Sequence, residues 1–111
     1  MIIDITSLKQ HQVVEGYKAR FVHSESMTIV FWEVDKGASI PVHSHIHEQL
    51  SQVTEGRFEM DIDGETIILK PGDLLVIPSH AKHGGKALTD CKIIDTFSPV
   101  REDYRTLSEE S

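Results

Sequence analysis

Residues 37–56, which read GASIPVHSHIHEQLSQVTEG, carry two histidines one residue apart, His43 and His45. Because successive side chains of a strand point to opposite faces, an extended chain here would turn both imidazoles to the same side. Gln49 lies an even number of positions further along, so its amide oxygen can join them. The stretch therefore indicates a group of metal-ligating side chains on one face.

A second stretch, residues 72–83, reads GDLLVIPSHAKH and ends in another histidine, His83. Three imidazoles and one oxygen donor that converge on a point are typical of a transition-metal site. The alternative interpretation is that the histidines are simply polar residues lining a pocket.

The remaining pattern predicts an all-β protein of roughly eight or nine short strands, as in a sandwich or barrel. Residues 57–62 alternate cleanly, with Phe58, Met60 and Ile62 on one face. The pair Asp63–Gly64 favours a two-residue hairpin, because a type I′ turn needs positive φ at both positions. Further strands are expected at about residues 27–34, 49–54, 65–69, 74–77, 84–88 and 91–97.

The length of 111 residues suits one domain with a single core. We expect the barrel core to span about residues 18–98. The charged segment from about residue 102 to residue 111 is predicted to be a flexible tail. No ten-residue stretch has the period of an amphipathic helix, and residues 7–12 are the one helical candidate.

Composition excludes several classes of function. The formal net charge of −7 disfavours nucleic-acid binding, which relies on Lys and Arg meeting phosphates. No apolar run approaches membrane-spanning length, and the first residues lack the basic flank of a secretory signal. Cys91 is the only cysteine, so no internal disulfide can form and a reducing cytoplasm is expected. The expected partner is a small molecule, and an anionic one would need an arginine or a metal to hold it.

The two histidine segments together resemble the two sequence motifs of the cupin superfamily, over about residues 27–97. Three positions depart from the motifs: Gln49 replaces the commoner Glu, His80 the usual Gly and Ala87 the usual Asn. The matching positions are Gly37, His43, His45 and Gly56 in the first motif, and Gly72, Pro78 and His83 in the second.

This resemblance implies a cupin double-stranded β-helix, which is a jelly-roll barrel, with one divalent transition metal near its axis. The metal would be Ni, Zn, Fe, Mn or Co. The neutral Gln49 leaves more of the metal's charge uncompensated, which favours Lewis-acid chemistry over high-valent oxygen chemistry. The implied ligands are His43, His45, Gln49 and His83, whereas His47 would be a packed or hydrogen-bonding residue and His80 a loop residue at the barrel rim.

Residues 95–101, which read DTFSPVR, form a second unusual cluster. Asp95 and Phe97 share one strand face, and a carboxylate in an apolar strand is costly unless it meets a cation or hydrogen-bond donors. Arg101 is near enough to fold back over a barrel mouth. Two interpretations stay open: an acid–base carboxylate with an arginine that holds a substrate carboxylate, or an Asp95–Arg101 ion pair that closes the barrel.

Gln49, the His-Glu-Gln triplet at residues 47–49 and the run at residues 95–101 together resemble one group of small cupins. Members of that group ketonise 4,5-unsaturated uronates in pectin and alginate degradation. The resemblance implies that Asp95 and Arg101 are catalytic, and that Phe97 and Arg101 contact the substrate. Two other functions remain in view: a non-catalytic module that binds a small ligand, and an Fe(II) dioxygenase.

The resemblance to small cupins also implies a homodimer. Ile2, Ile3 and Ile5 form a short apolar segment that could pair with the strand edge of a neighbouring subunit.

Overall fold

In the computed structural model, which describes residues 1–109, the chain forms ten strands, one α-helix and one 3₁₀ turn at Ile5–Ser7. The helix α1 spans Glu102–Glu109. The strands are β1 (His11–Val14), β2 (Tyr17–His23), β3 (Thr28–Val34), β4 (Ser39–His43), β5 (Glu48–Glu55), β6 (Phe58–Ile62), β7 (Glu65–Leu69), β8 (Leu74–Ile77), β9 (His83–Ala87) and β10 (Cys91–Ser98).

Two antiparallel sheets contribute to one hydrophobic core. The larger sheet has the strand order β1-β2-β3-β10-β5-β8, and the smaller has the order β4-β9-β6-β7. The prediction of an all-β, single-domain fold is confirmed. The predicted number of strands was too low, partly because β4 contains Pro41 and is exposed at four of its five positions, so it lacks a clear alternation.

Strand β10 connects the core to the cavity that contains the histidines. It pairs with β3 on one side and β5 on the other, and its residues are buried alternately. Asp95 lies opposite Val30 and Ser51, and Phe97 lies opposite Thr28 and Gln49. Asp95 and Phe97 therefore face the interior together, as the alternation predicted.

The Asp63–Gly64 turn has positive φ at both positions, 47° and 84°, which is the requirement of a type I′ hairpin. Gly56 also has positive φ, and a Cβ added there would lie 2.2 Å from the carbonyl oxygen of Asp90. This motif glycine is therefore required by both the backbone conformation and the space around it.

The expectation of a flexible tail from about residue 102 is not met, because Glu102–Glu109 form α1 against the larger sheet. The ring of Tyr104 packs on Phe21 and Phe97 with centroid distances of 5.2 and 5.9 Å, and Leu107 also packs against the core. With only these two apolar residues, the helix had no recognisable stripe. Residues 110 and 111 lie outside the described part of the chain.

The helix considered for residues 7–12 was also wrong. The 3₁₀ turn ends at Ser7 and is capped by Asp4, whose carboxylate accepts a hydrogen bond from the Thr6 amide at 3.0 Å. Strand β1 then begins at His11. Among residues 1–109, no helix is both long enough and apolar enough to cross a membrane.

His23 connects α1 to the sheet. Its Nδ1 lies 2.8 Å from the Thr28 hydroxyl, and its Nε2 lies 3.2 Å from the Ser108 hydroxyl. The Thr28 hydroxyl also accepts a hydrogen bond from the backbone N–H of Arg101 at 3.0 Å. Burial and then the positive charge of Arg105 lower the pKa of His23 below its ordinary value of 6.5, against the opposing charges of Glu102 and Glu109 on the same helix.

We expect His23 to make the docking of α1 sensitive to acid. The unfolded chain binds a proton at His23 more readily than the folded protein does. The neutral form therefore contributes stability above pH 6.5, and this contribution is lost as the pH falls through the lowered pKa. In metal-free protein, the loss of Tm between about pH 7.5 and about pH 5 should be smaller for His23→Gln than for the wild type. Equal losses would show that His23 does not contribute to acid sensitivity.

Candidate metal centre and active-site cavity

Three histidines converge between the two sheets. One ring nitrogen from each of His43, His45 and His83 lies within 4.8 Å of the others. His43 ends β4 and His83 begins β9, and the two are paired across the neighbouring strands. His45 lies beyond the end of β4, so the expectation that one strand carries both His43 and His45 was wrong. The chain leaves the smaller sheet after His43 and enters the larger one at Glu48, and this connection brings His45 back to the cluster.

Each of these imidazoles is oriented by a backbone carbonyl. A carbonyl can only accept, so Nδ1 carries the hydrogen in each ring and Nε2 presents a lone pair. This arrangement is typical of metal-ligating histidines, since the outer hydrogen bond sets the orientation of the ring. The Nδ1–H groups donate from His43 to Pro41 at 2.9 Å, from His45 to His47 at 3.0 Å and from His83 to Ala81 at 2.9 Å.

Gln49 brings an oxygen from the larger sheet to the same point. It is 5% exposed, and its Oε1 lies 3.2 Å from Nε2 of His45. Burial and then the charge of Arg101 lower the pKa of His45 to about 4, so that this ring is neutral at pH 7. Two lone pairs therefore face each other across a short gap, which suits a cation that both atoms ligate. The donor set of three imidazole nitrogens and one amide oxygen fits a divalent transition metal.

Two glycines that follow His83 allow strand β9 to pack closely between its neighbours. A Cβ on Gly84 would lie 2.8 Å from the carbonyl oxygen of Ile40, and one on Gly85 would lie 2.3 Å from the ring of Phe58. Strand β9 can therefore lie close to both neighbouring strands only because these side chains are absent. The close packing places His83, which is 4% exposed, with its ring centroid 4.4 Å from that of His43.

Asp95 lines the same cavity as the histidines and is 9% exposed. Its Oδ2 accepts a hydrogen bond from the indole N–H of Trp32 at 2.9 Å, whereas Oδ1 has no hydrogen-bond partner among residues 1–109. Burial raises the pKa of Asp95, and the polar hydrogens of Ser51, Gln49 and Trp32 oppose that shift. Trp32 thus fixes the carboxyl group through Oδ2, while Ser51 and Gln49 lie close enough to stabilise its charge without a hydrogen bond to Oδ1.

Arg101 also lines the cavity, but its ion-pair partner is Asp103 rather than Asp95. Its Nε and Nη2 donate to the two carboxylate oxygens of Asp103 at 3.0 and 2.8 Å. The guanidinium carbon lies 4.7 Å from the ring centroid of Phe97 and 4.0 Å from that of Tyr104. Stacking and pairing together hold Arg101 rigidly, and the interpretation of an Asp95–Arg101 pair closing the barrel is wrong.

The remaining histidines lie outside the metal-ligand cluster identified within residues 1–109. His47 is half-buried, with its ring 6.3 Å from that of Phe97, which agrees with a packing residue. His80 is exposed at a φ of 68°, and its amide donates to the carbonyl of His45 at 2.8 Å.

The structure brings all the sequence-predicted site residues to one cavity, and it adds four aromatic residues that sequence reasoning missed. The additions are Tyr17, Trp32, Phe58 and Tyr104. Trp32 and Phe58 belong to predicted strands without any sign of a site role, Tyr17 precedes the predicted barrel core, and Tyr104 belongs to the helix that was not expected. The predicted residues that line the cavity are His43, His45, Gln49, His83, Asp95, Phe97 and Arg101.

A jelly-roll barrel with three histidines and a glutamine around an interior cavity defines a cupin with a candidate metal centre. The chain belongs to the cupin-domain family, whose model matches residues 30–97. It is 38% identical over 93 residues to the pectin degradation protein KdgF of Dickeya dadantii, covering 81% of this chain and 84% of that protein.

Two solved structures agree with this assignment. An RmlC-like cupin from Shewanella frigidimarina is 36% identical with a TM-score of 0.85, over 89% of this chain and 90% of that one. KdgF from a Halomonas species is 35% identical with a TM-score of 0.84, over 89% of this chain and 93% of that one. The predicted cupin fold, and the predicted resemblance to the pectin-degradation group, are confirmed.

Proposed function

We propose that this protein is a metal-dependent enzyme that converts a 4,5-unsaturated uronate, or a similar carboxylated sugar, to its keto form. The observation that carries the proposal is the sharing of one cavity by the three oriented histidines and the available Oδ1 of Asp95. The similarity to two KdgF proteins, one of them named for pectin degradation, supports the choice of substrate class.

The metal would be held by His43, His45, Gln49 and His83, whose donor set suits Ni, Zn, Fe, Mn or Co. A divalent ion bound there would act as a Lewis acid that polarises a substrate oxygen. The neutral amide of Gln49 leaves the positive charge of such an ion largely uncompensated, which also helps an anionic substrate to bind to a protein of net charge −7.

The reaction is an isomerisation that needs proton movement and no oxidant. In the ring form of the substrate, C4 and C5 share a double bond and C5 carries the ring oxygen. Ketonisation adds a proton to C4, breaks the bond between the ring oxygen and C1, and removes a proton from the C1 hydroxyl. The single product is an open-chain isomer of the substrate that carries a ketone at C5 and an aldehyde at C1. Asp95 would move the proton through Oδ1 while Trp32 holds Oδ2.

Arg101 and Phe97 would position the substrate. Asp103 engages the Nε and Nη2 edge of the guanidinium, which leaves Nη1 for the substrate carboxylate. The Phe97 ring, 2% exposed, shapes the pocket between that guanidinium and the His45 ring, whose centroid is 5.7 Å away. A fixed cation and a fixed ring restrict how the sugar can enter.

The proposal is tested by following the absorbance of the conjugated double bond when purified protein is mixed with a 4,5-unsaturated uronate. We expect the absorbance to fall with metal-loaded protein and to stay constant with protein stripped by a chelator. Binding without conversion would favour a non-catalytic binding module, and oxygen consumption with iron would favour a dioxygenase. Either result would contradict ketonisation.

We also propose that two copies of the chain associate. The apolar N-terminal residues Ile2 and Ile3 are 100% and 41% exposed, and on the edge strand β8 Leu74 and Val76 are 57% and 53% exposed. An edge strand with apolar side chains favours pairing with another chain. Light scattering should give the mass of a dimer, and the mass of a monomer would contradict this proposal.

A further inference from the structure

We propose that Tyr17 and Asp95 form a subsite that binds a hydroxyl group of the ligand, so that the cavity selects a hydroxylated sugar acid over a plain carboxylate. The inference rests on the proposed function for the identity of the acid. It goes beyond that proposal by giving Tyr17 a binding role and by explaining how the cavity would distinguish a sugar acid from a carboxylate that has no hydroxyl groups.

Tyr17 is a buried residue whose hydroxyl forms no hydrogen bond within the described chain. It begins β2 and is 3% exposed, and its side chain lines the cavity that contains the three histidines. Its hydroxyl has no hydrogen-bond partner among residues 1–109. A buried hydroxyl without a partner costs free energy in the folded protein, so its presence needs a reason.

The indole of Trp32 contacts both Tyr17 and Asp95. The Tyr17 ring meets the Trp32 ring edge-on, at a centroid distance of 5.8 Å and an interplanar angle of 87°. The indole N–H donates to Oδ2 of Asp95. Oδ1 of Asp95 is the second buried oxygen of this cavity that has no partner within the described chain.

These two oxygens complement one kind of group. Burial and then the nearby charge of Asp95 raise the pKa of Tyr17, so its hydroxyl keeps its hydrogen and remains a donor. Oδ1 of the ionised Asp95 carboxylate is an acceptor. A ligand hydroxyl can accept from Tyr17 and donate to Asp95, whereas a carboxylate has no hydrogen to donate and a methylene would leave both oxygens unpaired.

The test compares two ligands that share a ring oxygen and a carboxylate and differ in their hydroxyl groups. Isothermal titration calorimetry would measure D-galacturonate and tetrahydropyran-2-carboxylate against the metal-loaded wild type and Tyr17→Phe. We expect the wild type to bind galacturonate more tightly. Tyr17→Phe should weaken galacturonate binding by about tenfold and leave the binding of the hydroxyl-free acid unchanged.

Thermal melting separates this binding role from a structural one. Because Tyr17→Phe removes a hydroxyl that has no partner in the described part of the chain, the ligand-free variant should melt no lower than the wild type. Tyr104→Phe is the matched control, since Tyr104 lines the same cavity beside Arg101. It should leave the ratio of the two affinities unchanged, whatever it does to each one.

Each of the following results would overturn the subsite. Equal weakening of both ligands by Tyr17→Phe, with a lowered Tm, would show a structural role. Unchanged galacturonate binding in Tyr17→Phe would show that its hydroxyl does not contact the ligand. If the wild type binds the hydroxyl-free acid but not galacturonate, the uronate proposal fails as well. If Tyr17→Phe has no effect while the wild type still ketonises unsaturated uronate, the subsite alone fails.

Discussion

Asp95→Asn is expected to lower the turnover of a 4,5-unsaturated uronate by at least about 100-fold without changing the metal content. Asparagine keeps the shape of aspartate, and its carbonyl oxygen can still accept the hydrogen bond from Trp32. The amide that would replace Oδ1 cannot carry a proton to or from the substrate at neutral pH. The fold and the four proposed metal ligands are left in place, so the loss should lie in kcat.

The measurement is kcat by loss of the conjugated double bond, together with elemental analysis of the same protein samples. Asp61→Asn is a suitable control, because Asp61 lies on β6 and accepts a hydrogen bond from Thr66 outside the cavity. It should keep wild-type turnover. An Asp95→Asn variant with full kcat would show that Asp95 has no acid–base role.

His83→Ala is expected to abolish the stabilisation of the protein by a divalent metal. A ligand that binds only the folded state adds about 2.7 kcal/mol to the free energy of unfolding at a concentration of 100 times its Kd. Removing one of three converging imidazoles leaves His43 and His45 without the ligand that β9 supplies. The wild type should therefore show a rise in Tm with added Ni²⁺ or Zn²⁺ that His83→Ala lacks.

His80→Asn provides the control for the removal of a nearby histidine. His80 is exposed at positive φ, a conformation that asparagine tolerates better than alanine does. This variant should keep the wild-type response to metal. If His83→Ala were stabilised as strongly as the wild type, the three-histidine cluster would not be the metal site.

Much of the fold could be predicted from local pattern. Strands β6 and β7 and their Asp63–Gly64 turn follow from alternation and from the residue types that positive φ requires. Strand β4 and helix α1 could not be predicted in this way, because the strand is largely exposed and the helix carries few apolar residues. Both are stabilised by tertiary contacts, which local sequence does not encode.

The site shows the same division. The sequence spacing correctly grouped His43, His45 and His83. The expectation that His45 shares a strand with His43 was wrong, because the connection between the two sheets returns the His45 ring to the cluster. The Arg101–Asp103 pair competes with a pairing to Asp95 that the sequence also allowed. The position of Tyr17 in the cavity could not be recognised from the sequence, because only the three-dimensional structure shows that its side chain lines the cavity and that its hydroxyl has no hydrogen-bond partner among residues 1–109.

The most direct test of the metal-centred account is elemental analysis of the purified, untagged protein beside His45→Ala. His45 contacts both the other imidazoles and the Gln49 oxygen, so its removal should disrupt the donor set most completely. The account predicts one divalent transition metal per chain in the wild type and almost none in the variant. No metal in the wild type after attempts to reload it, or equal metal in both proteins, would contradict it.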